Sequence, residues 1–331
     1  MTDHVVTAAT TLATGTDDFA ARARAAVFAA IDVHADRLAW DRDRIAAFQR
    51  DRLRTLLAVA AERSPFHARR LAGIDPARFE LGDLPRLPVM AKAETMAAFD
   101  DVVTDPRARR AAVEAAIAAT TDAPAPIAGE LIVLASGGSS GRRGLFAFPV
   151  DAFAEYACTL MRATMARMRA LGGPPPGGID LAIVGADSAV HATGVAAAVF
   201  REGPVRFRPV PVTLPVAEIV ARLNDLQPLG LYGYPSMLAR LAAEQAEGRL
   251  AIAPLSVTAS SETLRADQRR RIRDTFGVPL VNTYGATEGL TGVSPPDDPV
   301  VTFASDACIV EPVDEHDRPV PPGVSRGTRS C

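Results

Sequence analysis

Between Ser136 and Gly141 the chain reads Ser136-Gly137-Gly138-Ser139-Ser140-Gly141, and Arg142 and Arg143 follow directly. Glycines let a backbone turn tightly and approach a ligand closely. Successive backbone N–H groups in such a turn can face one concavity, and serine hydroxyls add donors for phosphate oxygens. The arginines make the neighbourhood positive. The segment therefore has the chemistry of an anion cradle, and its plain alternative is a flexible Gly/Ser surface loop. Apolar runs on both sides, Leu131–Leu134 before it and Leu145–Val150 after it, argue against a mere linker. The spacing fits neither the GxxxxGK[ST] loop of nucleoside triphosphatases nor the GxGxxG dinucleotide fingerprint.

The rest of the chain supplies elements to hold such a loop. Apolar runs at Leu181–Gly185, Val205–Val210, Leu229–Tyr232, Leu255–Ala259 and Pro279–Asn282 read as buried strands. Helical segments at 152–171, 192–200, 215–226, 235–247 and 264–276 alternate with them, with Asp151 expected as an N-cap. This predicts an α/β fold of layered, mainly parallel sheets with flanking helices. Ligands in such sheets gather beyond the carboxyl ends of the strands. Ser136–Gly141, Tyr232–Ser236, Ser260–Glu262 and Tyr284–Glu288 all follow apolar strands, so they are expected to share one crevice. Tyr156, Leu160, Met161, Met165 and Met168 on the 152–171 helix read as packing residues.

Residues 1–16 read as a disordered tail, residues 17–120 as a helical N-terminal region, and 121–310 as the α/β core. In the helical region one helix is expected from Asp18 to Leu38. A second is expected from Asp43 to Glu62, its apolar face formed by Ile45, Phe48, Leu53, Leu56, Leu57 and Val59. A chain of 331 residues buries roughly three quarters of the surface that it exposes unfolded. With 48% hydrophobic and 23% charged residues it reads as a soluble globular protein. A formal charge of -3 gives no reason to expect a nucleic-acid surface, and Arg269, Arg270 and Arg271 read as a solvated helix face. Three scattered cysteines make neither a disulfide framework nor a four-cysteine zinc site. No secretory signal or membrane span is legible, so a cytoplasmic location is expected.

The glycine-rich loop resembles the phosphate loop of the adenylate-forming enzymes, specifically their phenylacetate–CoA ligase-like branch. Companion segments carry the same resemblance: Ser64-Pro65-Phe66-His67, Leu87-Pro88 through Lys92, Asp100–Pro106, Tyr232-Gly233-Tyr234-Pro235-Ser236, Ser260-Ser261-Glu262, and Tyr284-Gly285-Ala286-Thr287-Glu288. The resemblance implies the fold of the N-terminal domain of an adenylate-forming enzyme. It implies that Tyr284 lies against the adenine of ATP, that Thr287 hydrogen-bonds the α-phosphate, and that Glu288 holds Mg²⁺. The Ser260–Glu262 turn would flank the adenine, with Ser260 standing where the family has glycine. Tyr232–Pro235 would open the acyl pocket, core packing being the alternative for Tyr232 and Tyr234. His191 reads as a satisfied structural histidine or a pocket residue near the substrate carboxylate.

The implied reaction has two halves: a carboxylic acid and ATP give an acyl-adenylate and pyrophosphate, then CoA thiolate displaces AMP. ATP, Mg²⁺ and CoA are the expected cofactors and co-substrate, and a small-molecule carboxylic acid, aryl or aliphatic, is the expected partner. A homodimer is admitted; nucleic acid and membrane are not expected. Glu311–Asp314 and Arg318–Gly323 resemble the family's strand pair before its hinge, and residues 311–331 read as a truncated start of that region without the small C-terminal domain. That expectation leaves open a non-catalytic remnant or protein-association module, and also transfer of the acyl group to an amine or carrier thiol.

Overall fold

The computed structural model describes residues 2–137, 143–186, 188–316 and 318–320, with side chains from Asp17 onward. The first helix, α1, runs Thr2–Asp36. It begins well before Asp18, and the expected tail is helical backbone, since no proline and only Gly15 interrupts the segment. Phe19, Ala23, Val27 and Ile31 recur every fourth residue along α1 and are all buried. They pack with Phe153, Ala157 and Cys158 of α7 (Val150–Ala170). Asp151 lies inside the first turn of α7 rather than at its N-cap, which is Pro149, because the chain is already helical at Val150.

The helical region continues with α2 (Arg42–Arg63), α3 (Pro65–Arg70), α4 (Lys92–Ala97), α5 (Phe99–Val102) and α6 (Arg110–Ala119). Of the apolar face expected on α2, Leu53 and Leu57 are buried against Leu71 and Phe79, whereas Leu56 is 64% exposed. That core is small and occupies a narrow stripe of the helix. Ser64 caps α3 by accepting from His67 N–H, Pro65 takes the first helical position and Phe66 is buried. The segment thus starts a helix and plugs a core.

Strands β1 (Leu131–Ala135) and β2 (Leu145–Pro149) form a separate two-stranded antiparallel hairpin. The remaining strands are β3 (Ile179–Gly185), β4 (Val205–Pro211), β5 (Gly230–Gly233), β6 (Ser256–Ser260), β7 (Leu280–Gly285), β8 (Thr291–Val293) and β9 (Thr302–Phe303). They make one seven-stranded sheet in the order β4-β3-β5-β6-β7-β8-β9. β4 through β7 in that order are parallel; β8 and β9 add antiparallel.

Helices α9 (Val216–Leu226), α10 (Pro235–Ala246) and α11 (Ala266–Phe276) bury Ile219, Leu223, Leu238, Leu241 and Ile272 against Ala182, Val184, Leu231, Val257 and Ala259 of the sheet. Helix α8 (Ala192–Val199) packs with α1, α7 and β1 in a second core. Truncating a fully buried ring of that core, such as Phe153, costs about 3–5 kcal/mol. Strand order reverses between β3 and β5, so the sheet has its switch point at their carboxyl ends, where open α/β sheets bind ligands. No helix among the described residues is long and apolar enough to cross a membrane.

Candidate functional site

At the switch point the main chains of β3 and β5 come close. A Cβ on Gly233 would stand 3.0 Å from the Val184 carbonyl oxygen. The Tyr234 hydroxyl accepts a hydrogen bond from Ala186 N–H at 3.1 Å, fixing the start of α10 against the end of β3. Strand alternation then sorts the neighbours. Tyr232, Ser260 and Thr283 share one face of β5, β6 and β7, Ser260 and Thr283 side by side, opposite the face of the buried Leu231, Val257, Ala259 and Leu280. Burial raises the pKa of Tyr232, with Ser260, Ser261 and Thr283 offsetting part of the rise, so the phenol stays protonated.

The turn after β6 is built around Ser261, whose φ of +68° is in the left-handed region that favours glycine. Its neighbour Glu262 accepts from Ser236 N–H at 3.1 Å and from Ser236 Oγ at 3.0 Å. A carboxylate at the N-terminus of α10 is favoured by the helix dipole and satisfies an N–H that has no partner within the helix. The side chain of Glu262 therefore ties the β5 and β6 turns together.

β7 extends to Gly285, so Tyr284 and Gly285 belong to the strand; it was expected to end at Asn282. Antiparallel pairing with β8 lengthens it. Tyr284 pairs across Gly292 with Phe303, the rings meeting edge-on at 5.7 Å, and its ring is 47% exposed. A Cβ on Gly292 would lie 3.0 Å from Phe303 Cδ1, so glycine makes that contact available. Ala286 N–H donates to Leu290 O, closing a turn that carries Thr287 and Glu288 at its tip. Glu288 Oε1 is 2.8 Å from Lys92 Nζ. Arg70 holds the segment on both sides of Lys92 by donating to Pro88 O and to Glu94 Oε1, both at 2.9 Å.

Ser136 closes the base of the β1–β2 loop: its N–H donates to Gly144 O, and its Oγ accepts from Gly144 N–H at 2.7 Å. Gly137 follows it, while Gly138, Ser139, Ser140 and Gly141 lie outside the described residues. The expectation that this loop follows a strand of the main sheet is corrected: it joins the two strands of the separate hairpin. Ala135 N–H donates to Val190 O, which sets the hairpin beside the start of α8. His191 is the N-cap residue there without a capping side-chain bond; burial, then the Arg143 charge, lowers its pKa and favours neutral imidazole.

Sequence reasoning missed Lys92 as a partner of Glu288, though it lies in a segment that carries the resemblance. It also set Tyr156 aside as packing, and burial raises that phenol to about 12, with Tyr232 and Glu288 adding to the shift. Its signal was available: the chain has 4 tyrosines, and the other three had been assigned to the site. Among the described residues no group of three metal-ligating side chains forms. Glu288 offers one carboxylate, which fits a magnesium ion held mostly by substrate phosphates and water.

Comparison with solved structures places the fold. A structure of 2-hydroxyisobutyryl-CoA ligase with 2-HIB-AMP and CoA in the thioesterification state is similar at a TM-score of 0.61 and 21% identity, over 86% of this chain and 59% of that one. The same ligase in the postadenylation state with 2-HIB-AMP is similar at 0.58 and 20%, over 83% and 56%. Its open conformation gives 0.52 and 19%, over 73% and 51%. The chain thus has the α/β fold seen in these ligase structures and spans between 51% and 59% of their length. No protein-family profile matches it, and no curated protein does.

Proposed function

We propose that the chain binds ATP and a carboxylic acid at the carboxyl ends of β5, β6 and β7 and forms an acyl-adenylate, with transfer to CoA as the following half-reaction. The acid is aryl or aliphatic, as the likeness to the phenylacetate–CoA ligase-like branch suggests. The observation that carries this reading is the Tyr284–Glu288 segment at the end of β7, with an accessible ring, a hydroxyl and a carboxylate next to Lys92. In the reaction a carboxylate oxygen attacks the α-phosphorus and the bond to pyrophosphate breaks. Thiolate attack on the acyl carbon then releases AMP. Neither step needs a covalent enzyme intermediate; orientation and charge neutralisation suffice.

Tyr284 presents a ring for the base, and Thr287 a hydroxyl for an α-phosphate oxygen. Lys92 supplies a positive charge toward the phosphates. Glu288 would hold Mg²⁺, whose contribution is to offset phosphate charge. Ser136 N–H and Oγ brace the loop whose Ser139 and Ser140 hydroxyls would donate to phosphate oxygens. The test is acid-dependent exchange of labelled pyrophosphate into ATP across a panel of aryl and aliphatic acids, with thioester formation followed on adding CoA. Exchange with at least one acid is expected. Absence of exchange together with absence of ATP binding by calorimetry would reject the reading.

A further inference from the structure

Tyr156 of α7 sits over the end of β7. Its residue is 9% exposed, its ring lies against Phe148 at 5.9 Å, and a Cβ on Gly285 would stand 3.5 Å from its hydroxyl. Gly285 has no left-handed φ that would require glycine. What glycine does there is leave the room of one methyl group in front of the phenol, bordered by Leu160 Cδ2, 3.8 Å from the same Cβ position. The Tyr234 hydroxyl is taken up by Ala186 N–H, and the Tyr232 hydroxyl faces the Ser260–Ser261 turn. The Tyr156 hydroxyl, on a residue otherwise buried, makes no hydrogen bond among the described residues. A phenol held protonated by burial is a donor waiting for an acceptor.

The face on which it waits is informative. Along β7, Thr283 and Gly285 point to the side of Tyr232, while Tyr284 points to the other. A base stacked on Tyr284 would therefore lie across the strand from Tyr156. The reacting carboxylate would meet the phosphates at the tip of the 286–290 turn, beyond Gly285. The space before Tyr156 is left for the carbon skeleton of the acid.

We propose that Tyr156 determines specificity by donating a hydrogen bond from its hydroxyl to a hydroxyl or keto oxygen on the skeleton of the acid. The preferred substrates are then oxygen-substituted carboxylic acids rather than plain hydrocarbon ones. The inference rests on the acyl-adenylate reading and refines its substrate class.

The experiment compares the parent chain with Tyr156→Phe, which removes one oxygen and keeps the ring. Butyrate and phenylacetate are each assayed beside their hydroxy and keto derivatives, by pyrophosphate exchange and by ligand-observed NMR binding. The parent should favour the best oxygenated acid of a pair by about tenfold in KM, the size of one good hydrogen bond. The variant should bring the pair to within about twofold in KM, and its urea midpoint should equal that of the parent. A purely structural role predicts the reverse: a lower midpoint and an unchanged preference. Exchange with no oxygen preference in the parent, or with the preference intact in the variant, overturns the role of Tyr156 and leaves acyl-adenylate formation standing. Neither exchange nor binding with any of these acids overturns both.

Discussion

Lys92 Nζ lies 2.8 Å from Glu288 Oε1, joining the first residue of α4 to the tip of the turn after β7. The two side chains are 34% and 43% exposed, so water screens the pair and its worth to stability is below about 1 kcal/mol. An ion pair this weak can be exchanged for another without unfolding anything. If Glu288 turned to a cation, the Lys92 ammonium would be released toward an incoming phosphate.

Glu288→Gln preserves shape and removes charge. The Mg²⁺ concentration giving half-maximal pyrophosphate exchange should rise by about tenfold or more, corresponding to about 1.4 kcal/mol. The unfolding free energy in urea should move by less than about 1 kcal/mol. Lys92→Met should raise the KM for ATP and leave the dependence on acid concentration unchanged. An identical magnesium titration in Glu288→Gln would remove that residue from metal binding.

Acid should erode stability in two stages. His34 is 5% exposed and its pKa is lowered, by burial first and by the Arg37 charge next. The native state therefore resists protonation there, and its contribution, complete above about pH 6.5, is lost as pH falls below that value. Asp306 is buried as well, but two hydrogen bonds from Arg162, at 2.6 and 2.7 Å, outweigh the burial and lower its pKa. Its contribution is complete above about pH 4 and disappears as pH falls through the lowered value. Urea titrations from pH 8 to 3 should show both stages, and His34→Leu should reduce the first, to which His67 and His191, also lowered by burial, contribute the rest. Asp306→Asn should cost about 3–5 kcal/mol by leaving Arg162 buried without its counter-charge; a loss under about 1 kcal/mol would contradict this account.

Ser261 holds a left-handed φ of +68° at the turn after β6. Glycine adopts that conformation without steric cost, but loses more entropy on folding. The strain is the larger effect for a non-glycine residue, so Ser261→Gly should stabilise the chain by about 0.5–1 kcal/mol in urea unfolding. A destabilisation of that size would mean that the contact with Tyr232 outweighs the relief of strain.

The alternation of apolar runs with helical segments announced the parallel sheet, because Ala182 and Val184 of β3 and Val257 and Ala259 of β6 are buried in one core beneath the helices. The same signal misled at β1. Ile132 and Leu134 enter the core shared by α1 and α7, while Val133 and Ala135 enter a second core with Phe99 and Val113. A hairpin strand between two cores looks in sequence like a strand of a parallel sheet. Ser260 and Glu262 were legible as a turn, yet the bond from Glu262 to Ser236 depends on side-chain directions across two strands. The approach of Lys92 to Glu288 joins distant parts of the chain, and Tyr156 fits the apolar stripe of α7 so well that only the place of its hydroxyl beside Gly285 sets it apart.

Glu262 and Ser236 allow the coupling between turns to be measured. Glu262 receives two hydrogen bonds at the N-terminus of α10, immediately after Tyr232–Pro235. Losing the carboxylate should cost about 1 kcal/mol, the usual scale for a helix N-terminal cap. Glu262→Gln keeps an acceptor and should recover part of that loss. Ser236→Ala removes one of the two bonds, so a double-mutant cycle between Ser236→Ala and Glu262→Ala should give a coupling of at least about 0.5 kcal/mol. The functional consequence follows from the position of the bonds: with the β5 turn released, the KM for the acid should rise several-fold while that for ATP changes less. Additive stabilities in the cycle would show that the two bonds do not bind the turns to each other. Equal increases in both KM values would show that α10 positions the whole crevice rather than its acyl side.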